Sequence, residues 1–290
     1  MQLQKAERKQ VKLRLNISSP SGFGKTYGAL QIAYGLTSSW ETICIIDTEN
    51  RSASLYSHLG NFNTIPLSPP FTPDRYIQAI KICEDAGMEV IIIDSVSHVW
   101  NGEGGLLDYQ ASLGGRYQDW AKATPLYQKW LNTILQSKCH IITTTRKKQA
   151  YNLVTNNNKT KVEKAGLEDE IRNGYDYEMA VALEIINENH MARASKDRTQ
   201  LFADKPEFLI TVNTGVQIRD WCNQGKPEDL GVQINNCKSV KELVELYNAQ
   251  LPATQGEYGI RFNEKKKQIL TRQGNYSPQK ANQNGTYNDK

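Results

Sequence analysis

Apolar runs of two kinds alternate with helical patterns through the first half of the chain. Val11, Leu13, Leu15 and Ile17 alternate with polar residues, the period of a half-buried strand. Ala29, Ile32, Ala33 and Leu36 then recur at helical spacing. Thr42-Ile43-Cys44-Ile45-Ile46 and Val90-Ile91-Ile92-Ile93 are short continuous apolar runs, the mark of buried parallel strands. Between them the sequence predicts a helix with Leu55, Tyr56 and Leu59 that stops at Gly60, and a weaker strand over 62–67. A loop at Pro69-Pro70 follows, then a helix that Pro73 can start and Gly87 ends, with Ile77, Ile80 and Ile82 as its apolar contacts. A further helix is expected over about 124–137 and a fourth strand over 139–145. The intervening segment 102–119, rich in glycine and aromatics, is long for a simple connection. This alternation predicts an α/β fold with a mainly parallel central sheet. Lys12 and Arg14 share one face of the first strand, whereas a central parallel strand is apolar on both. The first half of that strand is therefore expected to project beyond the covered sheet.

After residue 145 the pattern changes. Tyr151-Asn152-Leu153-Val154 and Lys161-Val162-Glu163 flank Asn156-Asn157-Asn158-Lys159, which reads as a β-hairpin or loop with an asparagine turn. Strands are expected over 177–186 and 190–194, and a last one over 208–212, all extending the sheet in antiparallel fashion. The chain thus divides into a core over 1–225, a small helical region over 226–273 and a polar, disordered tail over 274–290. Residues 1–10 form a charged, mobile lead-in. In the helical region Ser239 and Glu242 make a capping box, and Val240, Leu243, Val244 and Tyr247 fall on one face. A basic helix with Lys265, Lys266 and Lys267 follows.

Composition narrows the class without naming a function. The 290 residues include five scattered cysteines with no C-x-x-C pair, which argues against a zinc site or a disulfide framework. No apolar run approaches the roughly 20 residues of a membrane helix, and no membrane role is expected. A cytosolic protein is the expectation. The net charge of +4 permits an acidic partner without demonstrating one. The four histidines show no metal-ligand spacing.

The chemistry concentrates in Ser19-Pro20-Ser21-Gly22-Phe23-Gly24-Lys25-Thr26, which joins the first strand to the first helix. It matches the phosphate-binding loop G-x-x-x-x-G-K-[ST], with Ser19 in place of the first glycine. A polyphosphate needs backbone N–H groups turned inward, and glycine permits that turn. Lys25 reaches the β- and γ-phosphates in such loops, and Thr26 ligates Mg²⁺. Asp94, at the C-terminal end of the aliphatic strand, can hold the same ion through water. Hydrolysis also needs a group that positions or deprotonates water. Ser95 follows Asp94 where many ATPases carry glutamate, which leaves Glu49, at the end of the second strand, as the candidate.

Ile45-Ile46-Asp47-Thr48-Glu49-Asn50, with Leu55-Tyr56 and Leu59-Gly60 behind it, resembles the RecA pattern in which a strand ends in a catalytic glutamate. Residues 90–96 resemble the RecA/RadA Mg²⁺-aspartate strand, Asp-Ser-Val included. The region 146–202 resembles phage-encoded RecA-like ATPases of the single-strand-annealing recombinase group. The resemblance implies a RecA-like P-loop core with ATP and Mg²⁺ as cofactors. Ser21, Gly22, Phe23, Gly24, Lys25, Thr26, Tyr27 and Asp94 would contact nucleotide, Thr26 and Asp94 the metal. Thr145, or Arg146 beside it, would take the place of the RecA residue that senses the γ-phosphate, which in RecA is a glutamine. Lys196 and Arg198 match the K-x-[KR] pair that RecA-like and DnaB-like ATPases insert into a neighbouring subunit's site. Arg146, Lys147, Lys148, Tyr151, Lys159 and Lys161 sit where RecA proteins hold a DNA-contacting loop.

The reading that follows is an ATPase, catalysed by Glu49, Lys25, Lys196 and Arg198, that acts on single-stranded DNA in phage-type recombination or annealing. It implies self-association into a filament or ring, a single-strand-binding or other recombination protein as a partner, and the bacterial host cytosol as its location if phage-encoded. Two alternatives stay open: a DnaB-like helicase or translocating motor, and a nucleotide-switched adaptor or loader that does not hydrolyse.

Overall fold

A computed structural model describes residues 11–156, 159–224, 230–250 and 252–272, without the side chains of 151–156, 159–163, 252, 253 and 272. The expected lead-in over 1–10, the Asn157-Asn158 turn and the tail over 274–290 lie outside the described residues.

The apolar runs become strands at the centre of a sheet: β1 (Arg14–Ser19), β2 (Ile43–Asp47), β3 (Asn63–Pro66) and β4 (Val90–Asp94). β5 (His140–Asn156) and β6 (Lys159–Asp169) follow, then β7 (Val181–Ile185), β8 (Met191–Asp197) and β9 (Phe208–Leu209). The sheet order is β3-β2-β4-β5-β1-β7-β8-β9, with β6 paired to β5 off that path. β5 therefore lies between the strand that feeds the glycine loop and the strand that ends in Asp94.

Both faces of the sheet are covered, which is why its strands read as unbroken aliphatics. Helix α1 (Lys25–Thr37) contributes Leu30, Ile32 and Ala33 to the apolar layer that also takes Ile45 and Ile92. Helix α7 (Val212–Asn223) crosses α1 on that side through Gly35 and Gly215. On the opposite face α2 (Pro73–Asp85) and α5 (Trp120–Gln136) bury Tyr76, Ile80, Trp130 and Ile134 against Ile91 and Ile93. Successive residues of β4 thus serve the two layers in turn.

Several expectations are corrected. Arg14 does not project: it is only 7% exposed, and its guanidinium donates to the carbonyls of Leu135, Ser137 and Cys139. The buried cation thus satisfies backbone acceptors at the end of α5, which helical bonds leave unpaired. β7 pairs parallel to β1, and only β8 and β9 extend that edge antiparallel; β7 itself starts at Val181, because the short α6 (Tyr175–Glu178) takes the first residues expected in the strand. The expected last strand is two residues long, and α7 takes over at Val212. Segment 102–119 is largely structured, holding α4 (Leu106–Ser112) and a turn of 3₁₀-helix at Tyr117–Asp119. It follows the short α3 (Ser97–Asn101). The fourth strand and the first arm of the hairpin are one continuous strand, β5, of 17 residues.

This compact unit runs to Gln224. A second contains α8 (Leu230–Asn236), α9 (Val240–Asn248) and α10 (Pro252–Arg272). Its core is Ile234, Leu243, Phe262 and Ile269, whereas Val244, expected on the apolar face of α9, is exposed. The Ser239 hydroxyl caps α9 by accepting from Glu242 N at 3.2 Å.

Candidate nucleotide site

The glycine loop hands β1 to α1 through two left-handed glycines, Gly22 at φ +84° and Gly24 at φ +92°. Residues with a Cβ rarely adopt that conformation, so these two positions need glycine. Ser19, where the loop pattern has its first glycine, is a buried strand residue outside the left-handed region and keeps its side chain without strain. Lys25 folds back over the loop. Its Nζ donates to the carbonyls of Ser19 at 3.0 Å and Pro20 at 2.9 Å. Burial lowers its pKa, and the nearby Asp94 and Glu49 oppose that shift. His190, just before β8, fixes the loop from outside, where its Nδ1 donates to the Phe23 carbonyl at 2.9 Å.

In the first turn of α1, the Thr26 hydroxyl donates to an Asp94 carboxylate oxygen at 2.5 Å. The other Asp94 oxygen accepts from Thr144 of β5. Asp94 is fully buried, which raises its pKa against the hydrogen bonds from the two threonines. The following peptide, Asp94–Ser95, is cis.

Glu49 is held at the adjacent strand end. Asp47 accepts from the Glu49 backbone N at 2.7 Å and from the Ala53 N at 2.8 Å, shaping the turn through left-handed Asn50 and Arg51. The Ser95 hydroxyl donates to a Glu49 carboxylate oxygen at 3.1 Å. Arg146 grips both oxygens, Nε to one at 2.8 Å and Nη2 to the other. Burial pushes the Glu49 carboxyl up, but the hydrogen bonds and charge of Arg146, with help from His98 and Ser95, outweigh it and hold the group below the ordinary carboxylate value.

These elements enclose a cavity of about 710 Å³. Ser21, Gly22, Gly24, Lys25, Thr26 and Tyr27 line its loop side, and Glu49, Asp94 and Arg146 its far side. Tyr27 and Tyr56 flank it with ring centroids 6.2 Å apart. The arrangement suits a polyphosphate: a glycine loop at a helix N-terminus, a buried lysine, and a hydroxyl–carboxylate pair beside them.

Four expected residues do not join this group. The ring of Phe23 packs against the apolar core. Thr145 points away from the cavity and donates to Asn16 Oδ1 at 2.8 Å, because neighbouring strand residues face opposite sides. Lys196 and Arg198 lie off the cavity lining and both donate to the Tyr177 carbonyl. Of the DNA candidates, Arg146 is committed to Glu49. Lys147 pairs with Glu184 at 2.9 Å and Asp169 at 3.4 Å, and Lys148 with Glu168 at 3.4 Å. Tyr151, Lys159 and Lys161 are on the hairpin strands, with side chains outside the described residues.

The sequence assigns no role to Thr144 or His190, and marks Ser95 only as the neighbour of Asp94. Thr144 meets Asp94 because β5 pairs with β4, with Ile93 beside Thr143. That strand order leaves no mark on a single sequence. Among the described residues no helix is long and apolar enough to cross a membrane. No curated protein matches the chain. A family model described as an AAA domain matches residues 11–208, more than half of the length, around the glycine loop, Asp94 and the cavity they form, and the chain belongs to that family as an AAA-type P-loop ATPase.

Proposed function

We propose that this ATPase hydrolyses ATP with Mg²⁺ and acts on single-stranded DNA, in the manner of the RecA/RadA-like proteins of the phage single-strand-annealing recombinase group. The observation that carries the reading is the continuity of β5. One strand places Thr144 on Asp94 and Arg146 on Glu49, then leaves the sheet as an arm of the β5–β6 hairpin. Between 151 and 164 that hairpin carries three lysines against one glutamate. A charge change at the nucleotide site is thus one continuous strand away from a basic arm.

The donor set fits a divalent ion. Asp94 is a buried carboxylate whose two oxygens meet hydroxyls, and a cation beside it offsets the burial that raises its pKa. Thr26 and Asp94 would hold Mg²⁺, which neutralises charge on the phosphates. The chain's own residues supply the rest. The loop amides and Lys25 cradle the phosphates, and Glu49 orients the attacking water and accepts its proton. Lys196 and Arg198 complete a neighbouring subunit's site in a filament or ring, where an added cation stabilises developing charge on the γ-phosphate.

The test is ATP turnover with and without single-stranded DNA, run beside oligonucleotide binding at two salt concentrations. The expected result is turnover raised by DNA, and affinity that falls steeply with salt as phosphate contacts are lost. No turnover under either condition would overturn the hydrolytic reading, and no binding at low salt would overturn the DNA reading.

A further inference from the structure

An aromatic cleft lies away from the nucleotide cavity, between α3, the Tyr117–Asp119 turn and the first two turns of α5. Its volume is about 590 Å³. Trp100 and Trp120 stack there with centroids 5.4 Å apart and planes 17° from parallel. Tyr117, at the rim, is 92% exposed, unusual for a large ring with nothing to cover it. Arg172 lies beside them, its guanidinium 5.0 Å from the centroid of the Tyr127 ring. No carboxylate is among the described residues lining this cleft, and Arg172 supplies its charge.

We infer that this cleft takes an unpaired nucleobase of single-stranded DNA, stacked on Tyr117 and the Trp120 edge of the tryptophan pair. The inference rests on the DNA reading above and assigns to it a contact separate from the hairpin. A nucleobase is planar, with two π-faces and a polar edge. An exposed ring, a second aromatic surface and a guanidinium match those features whatever the base. An apolar protein segment would make no use of the cation. Arg116 and Lys122, both exposed, are chain neighbours of the cleft residues Tyr117 and Ala121 and add positive charge to those segments, which suits the phosphates of a bound strand. The neighbouring hollow shares Trp100 and Arg172 but is lined by Glu168, Asp169 and Glu170 as well as Lys148. That acidic side repels phosphates, so the strand enters past Tyr117.

The experiment compares binding of a fluorescent oligothymidylate with an abasic oligonucleotide of equal length and charge, using the full chain and its Tyr117→Ala and Tyr117→Phe variants. Tyr117 is almost wholly exposed, so its removal leaves the packing of the unit unchanged. The parent chain should bind the base-bearing strand roughly tenfold more tightly than the abasic one, the scale of one stacked base. Tyr117→Ala should collapse that ratio and Tyr117→Phe should keep it. Equal binding of both oligonucleotides by the parent chain overturns the inference while the DNA reading stands. A base preference that survives Tyr117→Ala does the same. Binding of neither oligonucleotide overturns the DNA reading and the inference with it.

Discussion

Arg146 clasps both carboxylate oxygens of Glu49, and Arg146 is the residue at which β5 leaves the nucleotide site for the hairpin. A positively charged residue that reads as a DNA contact in sequence is thus bound to the candidate base. The pairing sets a pH prediction. With Arg146 present, the Glu49 carboxylate stays ionised to a lower pH than an ordinary glutamate. The acid limb of the turnover profile should therefore lie below the usual carboxylate range. Arg146→Ala leaves burial unopposed by its main partner, so the limb should move to higher pH. The same sign holds for stability. A depressed carboxyl contributes stability above its unfolded pKa, and that contribution fades as pH falls through the folded value. Paired pH–rate profiles check the shift. Glu49→Gln should cut turnover by roughly 10²- to 10⁴-fold while nucleotide binding persists.

Thr144 supports the neighbouring acid, and its removal tests the role of β5 at the metal position. Thr144→Val keeps the shape and deletes the hydroxyl that donates to Asp94. The loss of that hydrogen bond to a buried charged group should cost about 1.5–3 kcal/mol in urea unfolding. It should also raise the Asp94 pKa further, so a higher Mg²⁺ concentration is expected at half-maximal turnover. Thr145→Val, one residue on, removes a bond to Asn16 instead and should leave the Mg²⁺ requirement as it was.

The contrast between Thr144 and Thr145 marks how far the sequence was legible. The glycine loop carries its chemistry in contiguous residues, so Lys25 and Thr26 are legible from spacing, and Asp94 from its place at the end of an aliphatic run. So is the parallel core, from Ile43–Ile46 and Val90–Ile93. What the sequence hides is which strand lies beside which. Only the insertion of β5 between β1 and β4 tells Thr144 from Thr145, and turns Arg146 toward Glu49. The burial of Arg14 is hidden for a related reason: its partners, carbonyls at and just after the end of α5, are over 120 residues away. The same long separation hides the parallel pairing of β7 with β1.

Arg14 therefore yields a stability prediction. Arg14→Met preserves the apolar stem but leaves the carbonyls of Leu135, Ser137 and Cys139 without their donor. The expected loss is roughly 3 kcal/mol, since hydrogen bonds from a charged group are being removed inside the protein. The guanidinium, which burial lowers to about 10, is still charged at neutral pH. Urea denaturation midpoints at pH 7 give the measurement, and a change below about 0.5 kcal/mol, the range of ordinary surface substitutions, would refute the capping role.

At the crossing of α1 and α7 the two backbones touch. A Cβ on Gly35 would stand 2.1 Å from the Val212 carbonyl oxygen and 2.7 Å from the Gly215 Cα. Both obstacles are backbone, so the helices themselves must separate. Gly35→Ala should destabilise this unit by about 3 kcal/mol, the upper end of ordinary overpacking, despite alanine's better helix propensity. Gly256, inside α10, has nothing within 4 Å of such an atom. Gly256→Ala should therefore stabilise its own unit by about 0.5–1 kcal/mol. Differential unfolding of the two variants separates contact from propensity.

The last prediction concerns assembly. Lys196 and Arg198 converge on the carbonyl of Tyr177 in their own chain and stand off the cavity that holds Lys25. If they act on a neighbour's nucleotide, each site is built from two chains and the two halves can be supplied separately. A Lys25→Ala chain lacks the phosphate lysine but keeps both outward cations. A Lys196→Ala/Arg198→Ala chain has the reverse defect. Each alone should be inactive as an ATPase. In an equal mixture that assembles at random head to tail, about a quarter of the interfaces join the intact halves. Turnover should then recover toward about a quarter of the parent value per chain, with a maximum near equal proportions. A mixture as inactive as its components would place the two cations outside the reaction. Full activity of the double variant on its own would have the same meaning. Recovery on mixing has no explanation within a single chain, because neither variant carries both halves.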